Sequence, residues 1–250
     1  MTHVGRLEGK VALISGGARG LGAAHVELFA EEGGAVVFGD VLVDEGAALA
    51  DRLGERGLHV QFLKLDVTQA DDWAAAVDLA VNLHGRLTTL VNNAAIFSAD
   101  GTQDVTQETF RHVLSVNLEG QWLGMRAALP ALVEFGNSSI VNICSVYAHL
   151  ATPDAVAYHA SKGGVLIMTR STALEYVGRG VRVNAVNPGA IDTLFAGSAT
   201  PDAGAISSVV PLGRSADPRE IAHASLFLAS DDASYITGTE IVADGGWSAG

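Results

Sequence analysis

Seven short, β-branched apolar runs alternate with helix-length, Ala/Leu-rich segments along the chain, and this alternation restricts the fold more than any other feature. The runs are Val11–Ser15, Ala35–Asp40, Val60–Asp66, Leu90–Asn92, Ile140–Ser145, Val181–Asn187 and Glu240–Val242. Between them lie Leu21–Glu32, Asp44–Leu53, Gln69–Leu83, Glu108–Val133, Ala155–Val177 and Pro218–Leu228. Such an order predicts a doubly wound α/β fold, a parallel sheet covered by helices on both faces. No Pro- or Ser-rich linker and no repeat divides the 250 residues, so one domain, 1–250, is expected. The stretch Ile191–Gly213 lacks strong periodicity and reads as a loop or short-helix lid.

Composition narrows the partners. A formal net charge of -13 opposes approach to nucleic acid and to anionic membranes. Apolar runs stay short of the ~18 residues a membrane span needs. The single Cys144 excludes an internal disulfide and a Cys-based zinc cage. The eight histidines form no i, i+4 pair with a neighbouring Glu, so no metal is expected. Met1–Lys10 lacks the apolar core of a secretory signal, and a cytoplasmic location is expected.

The first strand runs into Ser15-Gly16-Gly17-Ala18-Arg19-Gly20-Leu21-Gly22, which opens the first helix. Glycines there permit a tight turn and let backbone N–H groups approach a pyrophosphate, whose charge the helix N-terminus favours. No Lys-Ser/Thr follows, which disfavours a triphosphate loop. Asp40, at the end of the second strand, can accept hydrogen bonds from ribose hydroxyls and repels a 2′-phosphate, so NAD is expected over NADP. Arg19 could pair with that phosphate, but Val41 offers no second cation, and Arg19 reads as a solvated or salt-bridging side chain. Asp66 and Val67, closing the third run, stand where an adenine would lie; Asp66 reads equally as a turn or capping residue.

Tyr158 and Lys162 are i and i+4 on one helix and share a face. Ser145 ends the fifth strand. Taking a hydroxyl proton needs a base, and a tyrosine with its ordinary pKa near ~10 is a poor one at neutral pH. A lysine ammonium within ~4–6 Å is expected to lower it, as is a positive nicotinamide. Ser145 can donate to the substrate oxygen.

With these motifs the chain resembles the short-chain dehydrogenase/reductase family from Gly9-Lys10-Val11 to Asp244-Gly245-Gly246. The resemblance implies a single-domain Rossmann fold with a seven-stranded parallel sheet and an NAD-dependent secondary-alcohol dehydrogenase or ketone reductase. It implies that Gly16, Gly20 and Gly22 form the cofactor loop, that Asn93 and Ala94 follow the fourth strand, and that Asn117 completes a tetrad with Ser145, Tyr158 and Lys162. In that tetrad Asn117 would hold a water leading from Lys162 to solvent; a buried polar residue bonded to nearby backbone explains it without the resemblance. Lys162 would also hold the nicotinamide ribose, and Pro188, Gly189, Ile191 and Thr193 would meet the carboxamide. Departures are Ser15 for threonine, Ala95 for glycine and Cys144 for serine. A homotetramer is implied, since the long helices are richer in apolar residues than one sheet face needs.

The substrate wall is expected to include Ile96, Phe97, Val146, Tyr147, His149, Leu150, Ala190, Leu194 and Phe195. This apolar set suits a bulky, neutral, cyclic, aryl or steroid-like alcohol. A serine hydrolase is disfavoured, because Cys144-Ser145-Val146 lacks the glycines of a nucleophile elbow. A 3-oxoacyl thioester reductase and a non-catalytic NAD-binding sensor are the other readings.

Overall fold

The computed structural model describes residues 5–193 and 208–249. Its seven strands are β1 (Val11–Ser15), β2 (Ala35–Asp40), β3 (Val60–Lys64), β4 (Thr89–Asn92), β5 (Ser138–Ile143), β6 (Val181–Pro188) and β7 (Glu240–Ala243). All pair in parallel in one sheet of order β3-β2-β1-β4-β5-β6-β7. The chain winds outward from β1 to β3, returns to β4 on the other side of β1, and winds outward again. Between β1 and β4 the connections leave toward opposite faces, which opens a crevice at the carboxyl ends of these strands.

The helices are α1 (Gly20–Glu31), α2 (Val43–Glu55), α3 (Ala70–His84), α4 (Gln107–Leu114), α5 (Gly120–Phe135), α6 (Val156–Tyr176) and α7 (Pro218–Ala229). One apolar core joins α1, α2 and α7 to the sheet through Val26, Phe29, Leu49, Leu53, Ile221 and Leu226. The other lies on the α3 and α5 side, around Trp73, Leu90, Leu129 and Ile140. A strand such as Val11–Ser15, apolar up to its final serine and buried at every position, fits a sheet covered on both faces.

Several boundaries differ from the expected ones, and three of the differences bear on the site. The run at Val60 ends as a strand at Lys64, because Asp66 Oδ1 accepts from the Thr68 backbone N (2.9 Å) and hydroxyl (2.7 Å) in a local turn. β5 ends at Ile143, and Ser145 caps a short 3-10 turn, Val146–Ala148, by accepting from Tyr147 N. The segment Glu108–Val133 is interrupted by a π-turn, Ser115–Glu119, which holds Asn117.

Candidate active site

The glycine loop is built by close backbone contact. Gly16 has φ +65°, and a Cβ there would lie 2.7 Å from Ala94 Cα. A Cβ on Gly22 would lie 1.8 Å from the Gly16 carbonyl oxygen. Ser15 Oγ accepts from the backbone N of Asn93 (3.1 Å) and Ala94 (3.3 Å), so a serine suffices where the family has threonine. Asn93 Nδ2 donates back to the carbonyls of Ser15 (3.2 Å) and Gly16 (2.9 Å). These bonds lace β1 to β4 across the switch point. α1 has neither a side-chain cap at Arg19 nor an acidic residue in its first turn, which keeps its N-terminus suited to an anion.

A cavity of about 660 Å³ runs along these strand ends. Gly16, Arg19, Gly20, Leu21, Gly22, Asp40, Asp66, Val67, Asn93 and Ala94 line one part. Ser145, Tyr158, Lys162, Pro188, Gly189, Ile191 and Thr193 line the rest. Asp40 is held by accepting from the backbone N of Ala18 and of Leu42, both at 3.1 Å. A carboxylate has further lone pairs to offer a sugar. Arg19 is exposed and forms no ion pair among the described residues. Ala95 is in the wall without left-handed strain, since Asp154 is the only described non-glycine residue with positive φ. The glycine cradle, uncapped helix end and Asp40 together fit a dinucleotide.

Tyr158 and Lys162 project from α6 toward Ser145. The Lys162 ammonium is 5.6 Å from the centre of the Tyr158 ring and donates to the Ile143 carbonyl at 2.9 Å. Burial pushes the Tyr158 phenol well above its ordinary pKa, and a hydrogen bond with Ser145 opposes that shift. Burial also pushes Lys162 down to about 8. The expectation that Lys162 lowers the Tyr158 pKa is not met: burial raises it, and the opposing hydrogen bond comes from Ser145. Desolvation dominates both groups, and the ammonium turns to a backbone carbonyl.

Asn117 does not meet the cavity through its side chain. Its Oδ1 accepts from Ile96 N and its Nδ2 donates to Ile96 O, both at 2.8 Å, and to Ser161 Oγ at 3.2 Å. The amide is therefore spent on tying the π-turn to the loop after β4 and to α6, the backbone-bonded alternative of the sequence reading.

Of the substrate residues read from sequence, Ile96, Phe97, Val146, Tyr147 and Ala190 line the cavity. His149 and Leu150 do not, and His149 Nε2 instead meets Glu240 Oε2 at 2.7 Å on β7. Both follow the short turn that Ser145 caps. Leu194 and Phe195 lie outside the described residues. Sequence reasoning missed Trp247, which lines the cavity and packs edge-on to Tyr147 at 5.7 Å. No periodicity marks it, because only the turn after β7 brings it there. Among the described residues no cluster of His, Cys, Asp or Glu could hold a metal ion, and no helix is long and apolar enough to cross a membrane.

A family profile described as Enoyl-(Acyl carrier protein) reductase matches residues 16–248. The chain is similar to the 2,5-dichloro-2,5-cyclohexadiene-1,4-diol dehydrogenase of Sphingobium indicum, 44% identical with 98% of each chain covered. It is equally similar, at 44% identity, to the 3-alpha-(or 20-beta)-hydroxysteroid dehydrogenase of Mycobacterium bovis, covering 98% of this chain and 92% of that one. In solved structures it resembles a short-chain dehydrogenase/reductase from Burkholderia xenovorans, with TM-score 0.93, 35% identity and coverage of 98% and 99%. By fold, site and likeness alike, the chain belongs to the short-chain dehydrogenase/reductase family, oxidoreductases that use a nicotinamide cofactor.

Proposed function

We propose that the chain oxidises bulky, neutral, cyclic secondary alcohols, or reduces the matching ketones, with NAD(H) as cofactor. The observation that carries this reading is the convergence of Ser145, Tyr158 and Lys162 on one cavity that Ile96, Phe97, Val146, Tyr147 and Trp247 also line. Tyr158 takes the hydroxyl proton of the alcohol, and Ser145 donates to its oxygen as negative charge develops there. When bound, the nicotinamide supplies the hydride acceptor. Lys162 holds the nicotinamide ribose and, once its ammonium leaves the Ile143 carbonyl for the phenol, favours the ionised tyrosine. Gly16, Gly20 and Gly22 cradle the pyrophosphate, with Leu21 opening the helix behind them. Asp66 and Val67 border the adenine, and Pro188, Gly189, Ile191 and Thr193 hold the carboxamide end.

The relatives act, by name, on a cyclohexadiene diol and on hydroxysteroids, both ring-borne alcohols. Asp40 disfavours NADPH, the usual partner of a 3-oxoacyl thioester reductase, and the charge of -13 disfavours an acidic acyl carrier. The reading is tested by mixing the protein with cyclic secondary alcohols and each cofactor. NAD reduction is expected, with little NADP reduction. Binding of NAD without any turnover across the panel would favour a sensor. Asp40→Ser should relax the discrimination against NADP by roughly ten- to a hundred-fold, the worth of about 1.4 to 2.8 kcal/mol of charge repulsion and lost hydrogen bonding. Unchanged discrimination would move that role elsewhere.

Assembly as a homotetramer and a cytoplasmic location belong to the same proposal. α5 and α6 expose Trp122, Ile167 and Leu174, apolar surface that second copies would cover. Sedimentation at micromolar concentration is expected to give a tetramer mass, and a monomer would refute it.

A further inference from the structure

We propose that Gln121 positions the Lys162 ammonium by sharing its hydrogen-bond acceptor, the Ile143 carbonyl, and so sets how readily that ammonium is released toward Tyr158 and the cofactor. The inference rests on the role given to Lys162 above. Lys162 Nζ donates to Ile143 O at 2.9 Å, and Gln121 Nε2 donates to the same oxygen at 3.1 Å. The side chains come from α6 and α5, and both residues are almost wholly buried. A carbonyl has two lone pairs, and both are used here. The ammonium therefore holds an acceptor already engaged by a second donor, whose positive end lies beside its own.

Gln121 is not explained by stability. Its Oε1 is buried with no hydrogen-bond partner, a penalty that a Met or Leu of similar size would avoid. Turning the amide over would set Oε1 against the Ile143 oxygen, so the observed orientation is the one the site permits. The backbone of Gln121 is held as well, since its carbonyl accepts from Asn92 Nδ2 at 3.2 Å. Asn92 Nδ2 also donates to Asn142 Oδ1, and Asn142 Nδ2 donates to Thr169 Oγ1, each at 2.9 Å. This buried chain links β4, β5 and α6 beneath the site and fixes where Gln121 reaches.

The titratable groups that act on Lys162 are Tyr158 on its own helix and Cys144 after β5, whose Sγ donates to the Lys162 carbonyl at 3.1 Å. Neither sits between Gln121 and the shared oxygen. With Gln121 replaced by Met, Ile143 O serves Lys162 alone, and the charged form gains a stronger anchor.

The test reads Lys162 in the cofactor-free protein by NMR of lysine labelled at Cε, with its signal identified by its loss in Lys162→Met. The Gln121→Met midpoint should lie above that of the unmodified protein by about half a pH unit or more. The pH profile of turnover should move the same way, and kcat should fall several-fold. Thr169→Val serves as control, because it cuts the same buried chain without touching Ile143 O; it should lower Tm and leave the Lys162 midpoint in place. An unmoved midpoint in Gln121→Met overturns the proposal, as does a moved midpoint with an unmoved turnover profile. Because the NMR arm needs neither cofactor nor substrate, a failed dehydrogenase assignment would leave it readable.

Discussion

Tyr158→Phe should reduce kcat by roughly 10²- to 10⁴-fold, the usual worth of a positioned acid or base. The substitution removes one oxygen and keeps the ring. Phe97 and Tyr147 pack edge-on to that ring at 5.1 Å and 6.2 Å, so the wall should hold its shape. NADH binding, followed by its fluorescence, is expected to stay near that of the unmodified protein. Turnover within tenfold of normal would remove Tyr158 as the base. The size of the effect follows from burial as well as chemistry: a phenol pushed up in pKa by desolvation cannot be replaced by bulk hydroxide reaching the same buried point.

Gly22→Ala should abolish measurable NAD binding and lower Tm. The new methyl carbon would stand 1.8 Å from the Gly16 oxygen and 2.8 Å from Asn93 Nδ2. The first of these is backbone, so no side chain can rotate away, and overpacking of this kind costs about 1–3 kcal/mol even where a core can adjust. Relief requires moving Gly16, which breaks the lacing of β1 to β4 on which the cradle depends. Gly54→Ala is the matched control: its Cβ would meet nothing within 4 Å, and it lies inside α2. That variant should gain stability, by about 0.5–1 kcal/mol, and bind normally. Retained NAD affinity in Gly22→Ala would show that the cofactor loop lies elsewhere.

The fold was legible because its evidence is periodic. Seven apolar runs and the segments between them carry the sheet and its two helical layers, and the structure returns all seven strands in the expected parallel sheet. The glycine loop, Asp40 and the Tyr158–Lys162 spacing were legible because their chemistry is local, set by neighbours a few residues away. What escaped depends on distant chain or on one residue of slippage. The π-turn at Ser115–Glu119 breaks no compositional rule, so a helical period reads straight through it. Trp247 reaches Tyr147 from a hundred positions farther along the chain. The expected lowering of the Tyr158 pKa omitted desolvation, which spacing along a helix does not reveal. Gln121 reads as an ordinary polar residue on a helix until Ile143 O is seen to serve two donors.

The π-turn also governs how two helices are aimed. Each residue of an α-helix advances the chain by about 100° around its axis, so one residue accommodated in a widened turn re-phases everything after it. His112 and Ser115 can therefore border the cavity while Leu123 and Leu129, farther along the same rod, seat in the apolar core. A regular helix through this stretch would force one of those two surfaces out of register with its neighbour. The widened turn acts as a rotational coupling, through which the cavity wall and the hydrophobic core can each change sequence without dictating the orientation of the other.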